Sequence, residues 1–292
     1  MISTNENVVF LTLDCCSYKT TEKAEIPFIR KLGEIYSADS YATYTLPSHI
    51  SAFAGYFPKR RSYDPKNDYF CRNGHQLWRL KTSRVKEKSM VDIFLDGETI
   101  IDGYRKMGFY TLGTGGVRWF RSKLLTNYFQ DFLYFGNEDY QDVFEKRVHG
   151  NFALDNVNCI INKIANKEKW FLFMNCHETH VPYDSGENIH SDATWHLIRK
   201  AKPLWGGKIN NNQERILDSK EFEELESLQI AALESIDKKL SVLFARLPKP
   251  FVYVIMGDHG ENFGENGLYG HGFSTERVIN VPLMFGRVEC DL

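Results

Sequence analysis

Near-continuous apolar segments, interrupted by Thr12 and ended by Asn175, stand at 8–13, 170–175 and 251–256 of this chain. A strand with one wet face alternates apolar and polar positions, whereas a strand covered on both faces reads as a near-continuous apolar run. These three segments are therefore predicted as buried parallel strands. Leu225, Leu228, Ile230, Leu233, Ile236, Leu240 and Leu243 keep helical spacing and predict a helix over 222–247. Shorter helices are predicted at 26–35, with Pro27 near its start, and at 46–55, opened by Pro47 and stopped by Gly55. Another is predicted at 100–107, and a long one at 143–167 with a break near Gly150. Residues 109–112 read as a short strand running into Gly113-Thr114-Gly115-Gly116, and 278–285 as a final strand. Residues 58–90 and 184–218 are polar and irregular, and read as insertions that act as flaps or lids. Strands alternating with helices predict an α/β fold, a doubly wound and mostly parallel sheet with helices on both faces. The expected organisation is one domain over 1–292.

Composition narrows the partners. The chain has 292 residues, 42% hydrophobic and 25% charged, with a net charge of -2. That balance gives no broad attraction to nucleic acid or to acidic membranes, so no nucleic-acid partner is expected. The apolar run at 8–13 is too short for a signal segment or a membrane span, and no later run reaches that length. No membrane span is expected. Six cysteines lack the spacing of a disulfide framework, which points to reduced thiols and a cytoplasmic setting. Nothing in the pattern bears on oligomeric state.

Three strand ends carry reactive side chains: Asp14, the loop Cys176-His177-Glu178-Thr179-His180, and Asp258-His259. Parallel strands gather such ends on one edge of a sheet. The glycine-rich run MGDHGENFGENGLYGHG adds His271, twelve residues after His259. Asp and neutral His are ordinary ligands for a divalent ion, with Zn or Mn the best match to this donor set. Thr45 lies just before a predicted helix N-terminus, where amides and the helix dipole hold an anion. A hydroxyl beside a metal ion ionises and becomes a nucleophile. A metal, an alkoxide and an anion cradle together suit transfer of a phosphoryl-like group. Each residue also has a plainer reading. Asp258 and His259 would then cap a strand, Asp14 would be a turn residue, and Thr45 a helix cap. His180 and His271 would be structural imidazoles, and His177 would face solvent or bind substrate. Cys15 and Cys176 would be small buried residues, and Lys59-Arg60-Arg61 a solvated surface run.

Five segments, VVFLTLDCCSY, IPFIRKLGE, YTLPSHISAFAG, FMNCHETHVPY and MGDHGENFGENGLYGHG, resemble the alkaline phosphatase superfamily in its sulfatase and phosphoethanolamine-transferase-like branch. They occur in that family's order, and the tail ERVINVPLMFG is similar as well. The resemblance implies a metal held by Asp14, Thr45, Asp258 and His259, with Thr45 as nucleophile. It also implies that His180 and His271 contact the transferred group or help hold a second metal. His49 and His177 are the candidates for substrate binding.

The departures bear on chemistry. Thr45 stands where sulfatases carry a Cys or Ser converted to formylglycine, and the methyl group on its Cβ forbids that aldehyde. His49 replaces an Arg, and Cys15 replaces a second Asp. Cys176 stands where nucleotide pyrophosphatases/phosphodiesterases place a zinc-binding Asp, so a second zinc site from Cys176, His180 and His271 is one expectation. The expected function is hydrolysis or transfer of a small-molecule phosphate monoester or diester through Thr45. The alternatives are hydrolysis of sulfate esters and a non-catalytic binding protein that keeps the fold.

Overall fold

The computed structural model describes residues 6–55, 78–80, 93–95, 98–121, 123–136, 150–186, 190–205 and 216–290. The strands in chain order are β1 (Asn7–Leu13), β2 (Tyr36–Asp39), β3 (Trp78–Leu80), β4 (Ile93–Leu95), β5 (Tyr110–Gly115), β6 (Asp131–Tyr134), β7 (Trp170–Cys176), β8 (Phe251–Gly257), β9 (Asn262–Phe263), β10 (Tyr269–Gly270) and β11 (Asn280–Val288). Seven of them form one sheet in the order β2-β11-β8-β1-β7-β5-β6. The pairs β8-β1, β1-β7, β7-β5 and β5-β6 are parallel, and β11 runs antiparallel to both β8 and β2. This is the mostly parallel α/β sheet expected from the sequence.

The near-continuous apolar runs are explained by two cores, one on each face of the sheet. Along β1, Val9, Leu11 and Leu13 enter one core, while Val8 and Phe10 enter the other. Along β7, Leu172 and Met174 join the first core, and Phe171 and Phe173 the second. The period of two sends successive side chains to opposite faces, and both faces are dry. The first core is roofed by the long helix Ser219–Arg246, through Leu233, Ile236, Leu240, Leu243 and Phe244. Each such side chain, fully buried, contributes about 1.5–3 kcal/mol. The second core holds Ile50 and Phe53 of the helix Thr45–Ala54. Phe53 meets Phe10, Phe129 and Phe173 edge-on. Helices therefore lie on both faces, as predicted.

Several boundaries moved. The helix expected at 26–35 covers only Pro27–Leu32 and ends at Gly33. The helix expected at 46–55 begins at Thr45, and Gly55 closes it with φ 65°, a left-handed conformation that suits glycine. Of the long helix expected at 143–167, residues 143–149 lie outside the described residues. The rest is a 3-10 turn, Ala153–Asn156, followed by the short helix Val157–Ile164. The region 184–218 is not wholly irregular. It contains the helix Asp192–Ala201, capped by Ser191, whose Trp195, Leu197, Ile198 and Ala201 form a third apolar cluster with Leu217 and Leu225. The insertion predicted at 58–90 lies outside the described residues except for β3, which pairs in parallel with β4. Among the described residues no helix is long and apolar enough to cross a membrane.

Candidate metal centre and nucleophile

The parallel register brings the carboxyl ends of β1 and β8 side by side, with Leu13 opposite Gly257. Asp14 and Asp258, each next along its chain, are both fully buried. Their environments differ. Asp258 Oδ1 accepts hydrogen bonds from the amides of Cys15 at 3.1 Å and His259 at 2.8 Å. Asp258 Oδ2 is buried and, among the described residues, has no hydrogen-bond partner. It lies 3.5 Å from His259 Nε2. His259 Nδ1–H donates to the carbonyl of Gly260 at 3.0 Å, which leaves the lone pair on Nε2. That nitrogen is also 3.8 Å from Asp14 Oδ1 and 3.5 Å from Thr45 Oγ1.

Asp14 Oδ1, Asp258 Oδ2 and Thr45 Oγ1 thus each lie within 3.8 Å of the His259 Nε2 lone pair, and Cys15 groups with Asp14 and His259 as a further possible donor. A buried carboxylate oxygen without a donor is costly, and a divalent cation there would satisfy it. The donor set and the orphaned oxygen both fit a metal of the zinc or manganese kind. Burial and the neighbouring Asp14 charge hold the Asp258 carboxyl well above its ordinary range. Burial pushes the Asp14 carboxyl up as well, but the imidazoles of His180, His259, His49 and His271 outweigh it and leave Asp14 lowered.

Thr45 is the first residue of its helix, and the cap position is Tyr44, so the hydroxyl is not spent as a cap. The first amides of a helix have no acceptor within the helix. Pro47, the third helical residue, has no N–H, so the amides this buried helix start can offer are those of Thr45 and Leu46. The backbone there is anchored to the end of β8, because Ser48 Oγ donates to the carbonyl of Asp258 at 2.6 Å and Ser40 Oγ donates to the same carbonyl.

His180 and His271 lie beside this cluster. The rings of His259 and His271 are 4.5 Å apart, and those of His180 and His271 are 5.6 Å apart. His180 Nδ1–H donates to Val181 O at 2.8 Å, leaving Nε2 as the lone-pair nitrogen. Burial and the adjacent His180 push His271 down to about 3, so it is a neutral imidazole near pH 7.

Of the two histidines expected to bind substrate, His49 borders the cluster, with its Nδ1 3.8 Å from Asp258 Oδ2. His49 is 1% exposed, with Nδ1 at 2.7 Å from the carbonyl of Thr45 and Nε2 at 2.9 Å from Thr12 Oγ1. Its ring is enclosed by Phe53, Phe120 and Phe173. Both nitrogens therefore serve the packing between β1 and the Thr45 helix rather than an open cleft. His177 packs on Phe152 and closely on Gly116, and its Nδ1 has no partner among the described residues. Burial lowers it to about 4. Cys176, the expected thiol of a second metal site, points into the first core among Leu13, Trp170 and Leu172. The thiol that meets His180 and His271 is Cys15 instead.

Four supporting residues were not singled out from the sequence. Asn175 Nδ2 bonds Asp14 Oδ2 at 3.2 Å and Thr12 Oγ1 at 3.1 Å. Thr179 Oγ1 donates to the carbonyl of Asp14 at 2.6 Å. Gln229, buried on the long helix, donates to the carbonyls of Cys15 at 3.0 Å and Thr179 at 3.1 Å. Glu261 has Oε1 at 3.3 Å from His271 Nδ1, while its Oε2 accepts from Tyr183 at 2.9 Å. Only Glu261 has a local signal, since it lies two residues beyond His259 in the glycine-rich run.

A mostly parallel sheet thus carries two buried carboxylates at adjacent strand ends, with a hydroxyl at the start of a helix beside them. The family model for Sulfatase matches residues 7–285, and the chain belongs to that family. Proteins of this family act on sulfate and phosphate esters and generally bind a divalent metal ion. No curated protein matches the chain by sequence. Among solved structures, the fold is similar to the C-terminal periplasmic domain of phosphoethanolamine transferase EptC from Campylobacter jejuni, at 13% identity and TM-score 0.55, covering 98% of this chain and 80% of that one. It is similar to phosphonate monoester hydrolase of Agrobacterium radiobacter, at 14% identity and TM-score 0.59, covering 96% and 68%. It is also similar to a putative sulfatase from Bacteroides thetaiotaomicron, at 12% identity and TM-score 0.57, covering 97% and 64%.

Proposed function

We propose that this chain is a metal-dependent phosphoric-ester hydrolase or phosphotransferase with Thr45 as its nucleophile. The observation that carries the reading is the convergence of Thr45 Oγ1, Asp14 Oδ1 and Asp258 Oδ2 on His259 Nε2, all within 3.8 Å of that nitrogen. The similarity to a phosphoethanolamine transferase and a phosphonate monoester hydrolase supports a phosphorus centre as the target. So does the threonine itself, which cannot be converted to an aldehyde.

Asp14, Thr45, Asp258 and His259 would hold a divalent ion that supplies positive charge to the ionised hydroxyl and to a non-bridging oxygen of the substrate. Thr45 Oγ1 bonds to phosphorus while the bond from phosphorus to the leaving oxygen breaks, giving a phospho-threonine. The leaving oxygen takes its proton from solvent. Water or an acceptor hydroxyl then attacks the same phosphorus, and Thr45 Oγ1 departs. The amides of Thr45 and Leu46 stabilise the negative oxygens throughout. His180 and His271 lie beside this cluster, placed to contact the remaining oxygens of the transferred group or the leaving oxygen.

The test compares aryl phosphate monoesters, aryl phosphate diesters and aryl sulfates on the purified full chain loaded with zinc or manganese. Turnover of a phosphate ester that vanishes in Thr45→Ala, with an unchanged circular dichroism spectrum, is the expected result. Wild-type turnover in Thr45→Ala would refute the nucleophile. Faster turnover of the sulfate would transfer the assignment to sulfate esters.

A further inference from the structure

A chain of buried hydrogen bonds connects Asp14 to the backbone of Thr45. Asn175 Nδ2 lies 3.2 Å from Asp14 Oδ2 and 3.1 Å from Thr12 Oγ1. Thr12 Oγ1 is 2.9 Å from His49 Nε2, and His49 Nδ1 is 2.7 Å from the carbonyl oxygen of Thr45. The chain passes from β7 through β1 to the helix Thr45–Ala54. Asn175, Thr12, His49 and Thr45 are each at most 2% exposed. The His49 ring is held in place by Phe53, Phe120 and Phe173, which stand edge-on to it at centroid distances of 5.9, 5.2 and 5.6 Å.

The chemistry of the partners fixes the direction of every bond. A carbonyl oxygen only accepts, so His49 Nδ1 carries the proton and donates to Thr45. Burial pushes His49 down to about 4, which leaves one proton on the ring near pH 7 and a lone pair on Nε2. The Thr12 hydroxyl therefore donates to Nε2. The amide nitrogen of Asn175 only donates, giving one proton to Thr12 Oγ1 and the other to Asp14 Oδ2. Turning the Asn175 amide over would set its oxygen against the Asp14 carboxylate, so the chain has one consistent direction.

The chain ends on the peptide that carries the anion cradle. The carbonyl of Thr45 and the N–H of Leu46 share one planar trans peptide and point in opposite directions. Holding the oxygen therefore sets where the Leu46 amide points. A donor at that oxygen also polarises the peptide and makes its N–H a stronger donor. The same bond steadies the Thr45 backbone that bears Oγ1, 3.5 Å from His259 Nε2. We propose that Thr12 and His49 are positioning residues that hold Thr45 Oγ1 and the Leu46 amide in register with Asp14. His49 does so by donating to the Thr45 carbonyl, and Thr12 by fixing the tautomer of His49. The inference rests on Thr45 as the nucleophile and adds how that nucleophile is held. Neither residue exchanges a proton with substrate.

The experiment has two readouts on the full chain. In metal-free protein labelled isotopically at the histidine nitrogens, long-range proton–nitrogen spectra report the tautomer of His49, identified by the signals missing in His49→Gln. In protein loaded with zinc or manganese, kcat, KM and bound metal per chain are measured with an aryl phosphate. The wild type should show the Nδ1–H tautomer. Thr12→Val keeps the shape and removes the hydroxyl, and should lower kcat about 10–100-fold with KM and bound metal unchanged. Thr12→Ser keeps the hydroxyl and should retain most of the wild-type kcat. His49→Asn sets an amide nitrogen in place of Nδ1 and should keep more kcat than His49→Gln, which decides the matter should Thr12→Val fail to fold. The Nε2–H tautomer in the wild type would reverse the chain and overturn the proposal. With the wild type active and Thr45→Ala inactive, three further results would overturn it: wild-type kcat in Thr12→Val, equal losses in Thr12→Val and Thr12→Ser, or equal kcat in the two His49 variants. A wild type that turns over no ester, or a Thr45→Ala chain as active as the wild type, would remove the nucleophile reading and this proposal with it.

Discussion

Gln229 links the long helix to two backbone segments of the site, and its replacement by leucine has a calculable cost. Its Nε2 serves the carbonyls of Cys15 and Thr179, and its Oε1 accepts from Thr20 Oγ1 at 2.9 Å. Gln229 is fully buried. Leucine preserves the volume but provides neither donor nor acceptor. The two carbonyls then lose a donor, at about 1–3 kcal/mol each. Thr20 Oγ1 loses little, because Ser17 Oγ lies 2.9 Å away as a second partner. The added apolar burial of leucine returns about 1–2 kcal/mol. The net expectation is a loss of about 0–5 kcal/mol, centred near 2–3, read from urea denaturation by linear extrapolation. Thr20→Val should cost about 1 kcal/mol or less, and the double variant should fall short of the sum, because the two share a hydrogen bond. The same change frees the backbone at Cys15 and Thr179, so zinc affinity should fall at least tenfold in chelator competition. A stability loss below about 1 kcal/mol with unchanged zinc affinity would refute the claim that Gln229 positions these segments.

Other perturbations reach different parts of the structure. Asn175→Ala removes the amide that steadies Asp14 and should weaken zinc binding by about 10–100-fold, measured by chelator competition. Gly116→Ala would place a Cβ 1.8 Å from the carbonyl oxygen of Phe135 and 1.9 Å from His177 Cε1. It should lower the thermal midpoint by an amount equivalent to about 1–3 kcal/mol. Leu240→Ala on the long helix, fully buried in the first core, should cost about 2–5 kcal/mol by the same urea measurement, with no change in zinc affinity. Glu178 is 1% exposed, and burial raises it from 4.5 to about 7. The native state then binds more protons than the unfolded chain between those values, so stability falls as pH rises through that window and levels off above it. In the presence of chelator, Glu178→Gln should therefore gain on the wild type by about 3 kcal/mol between pH about 4 and about 8. A difference that stays flat with pH would contradict a carboxyl raised by burial.

Much of this protein follows from sequence alone because its central strands are dry on both faces. β1, β7 and β8 must fill two cores at once, so they read as near-continuous apolar runs, and Asp14, Cys176 and Asp258-His259 are found simply by where those runs stop. The long helix is equally legible, since its apolar stripe repeats over many turns. The edge strands β2 and β6 are not. Each is only four residues long and partly exposed, and it exists because β11 or β5 offers it a hydrogen-bonding partner. The helix Asp192–Ala201 was hidden for a similar reason, since its apolar face is complete only against Leu217 and Leu225. At the site, residue type and strand position were enough to nominate ligands, but not to choose between them. Sequence offsets favoured Cys176 as the thiol, whereas the positive φ of Cys15 and the inward pleat of Cys176 decide the reverse. His49 was a candidate for substrate binding, and tertiary packing gives both of its nitrogens buried partners. Asn175, Gln229 and Ser48 act across 161, 214 and 210 positions of chain. Periodicity records which face of an element is buried. The direction of a side chain at a strand end depends on backbone angles and on partners that folding alone brings within hydrogen-bonding range.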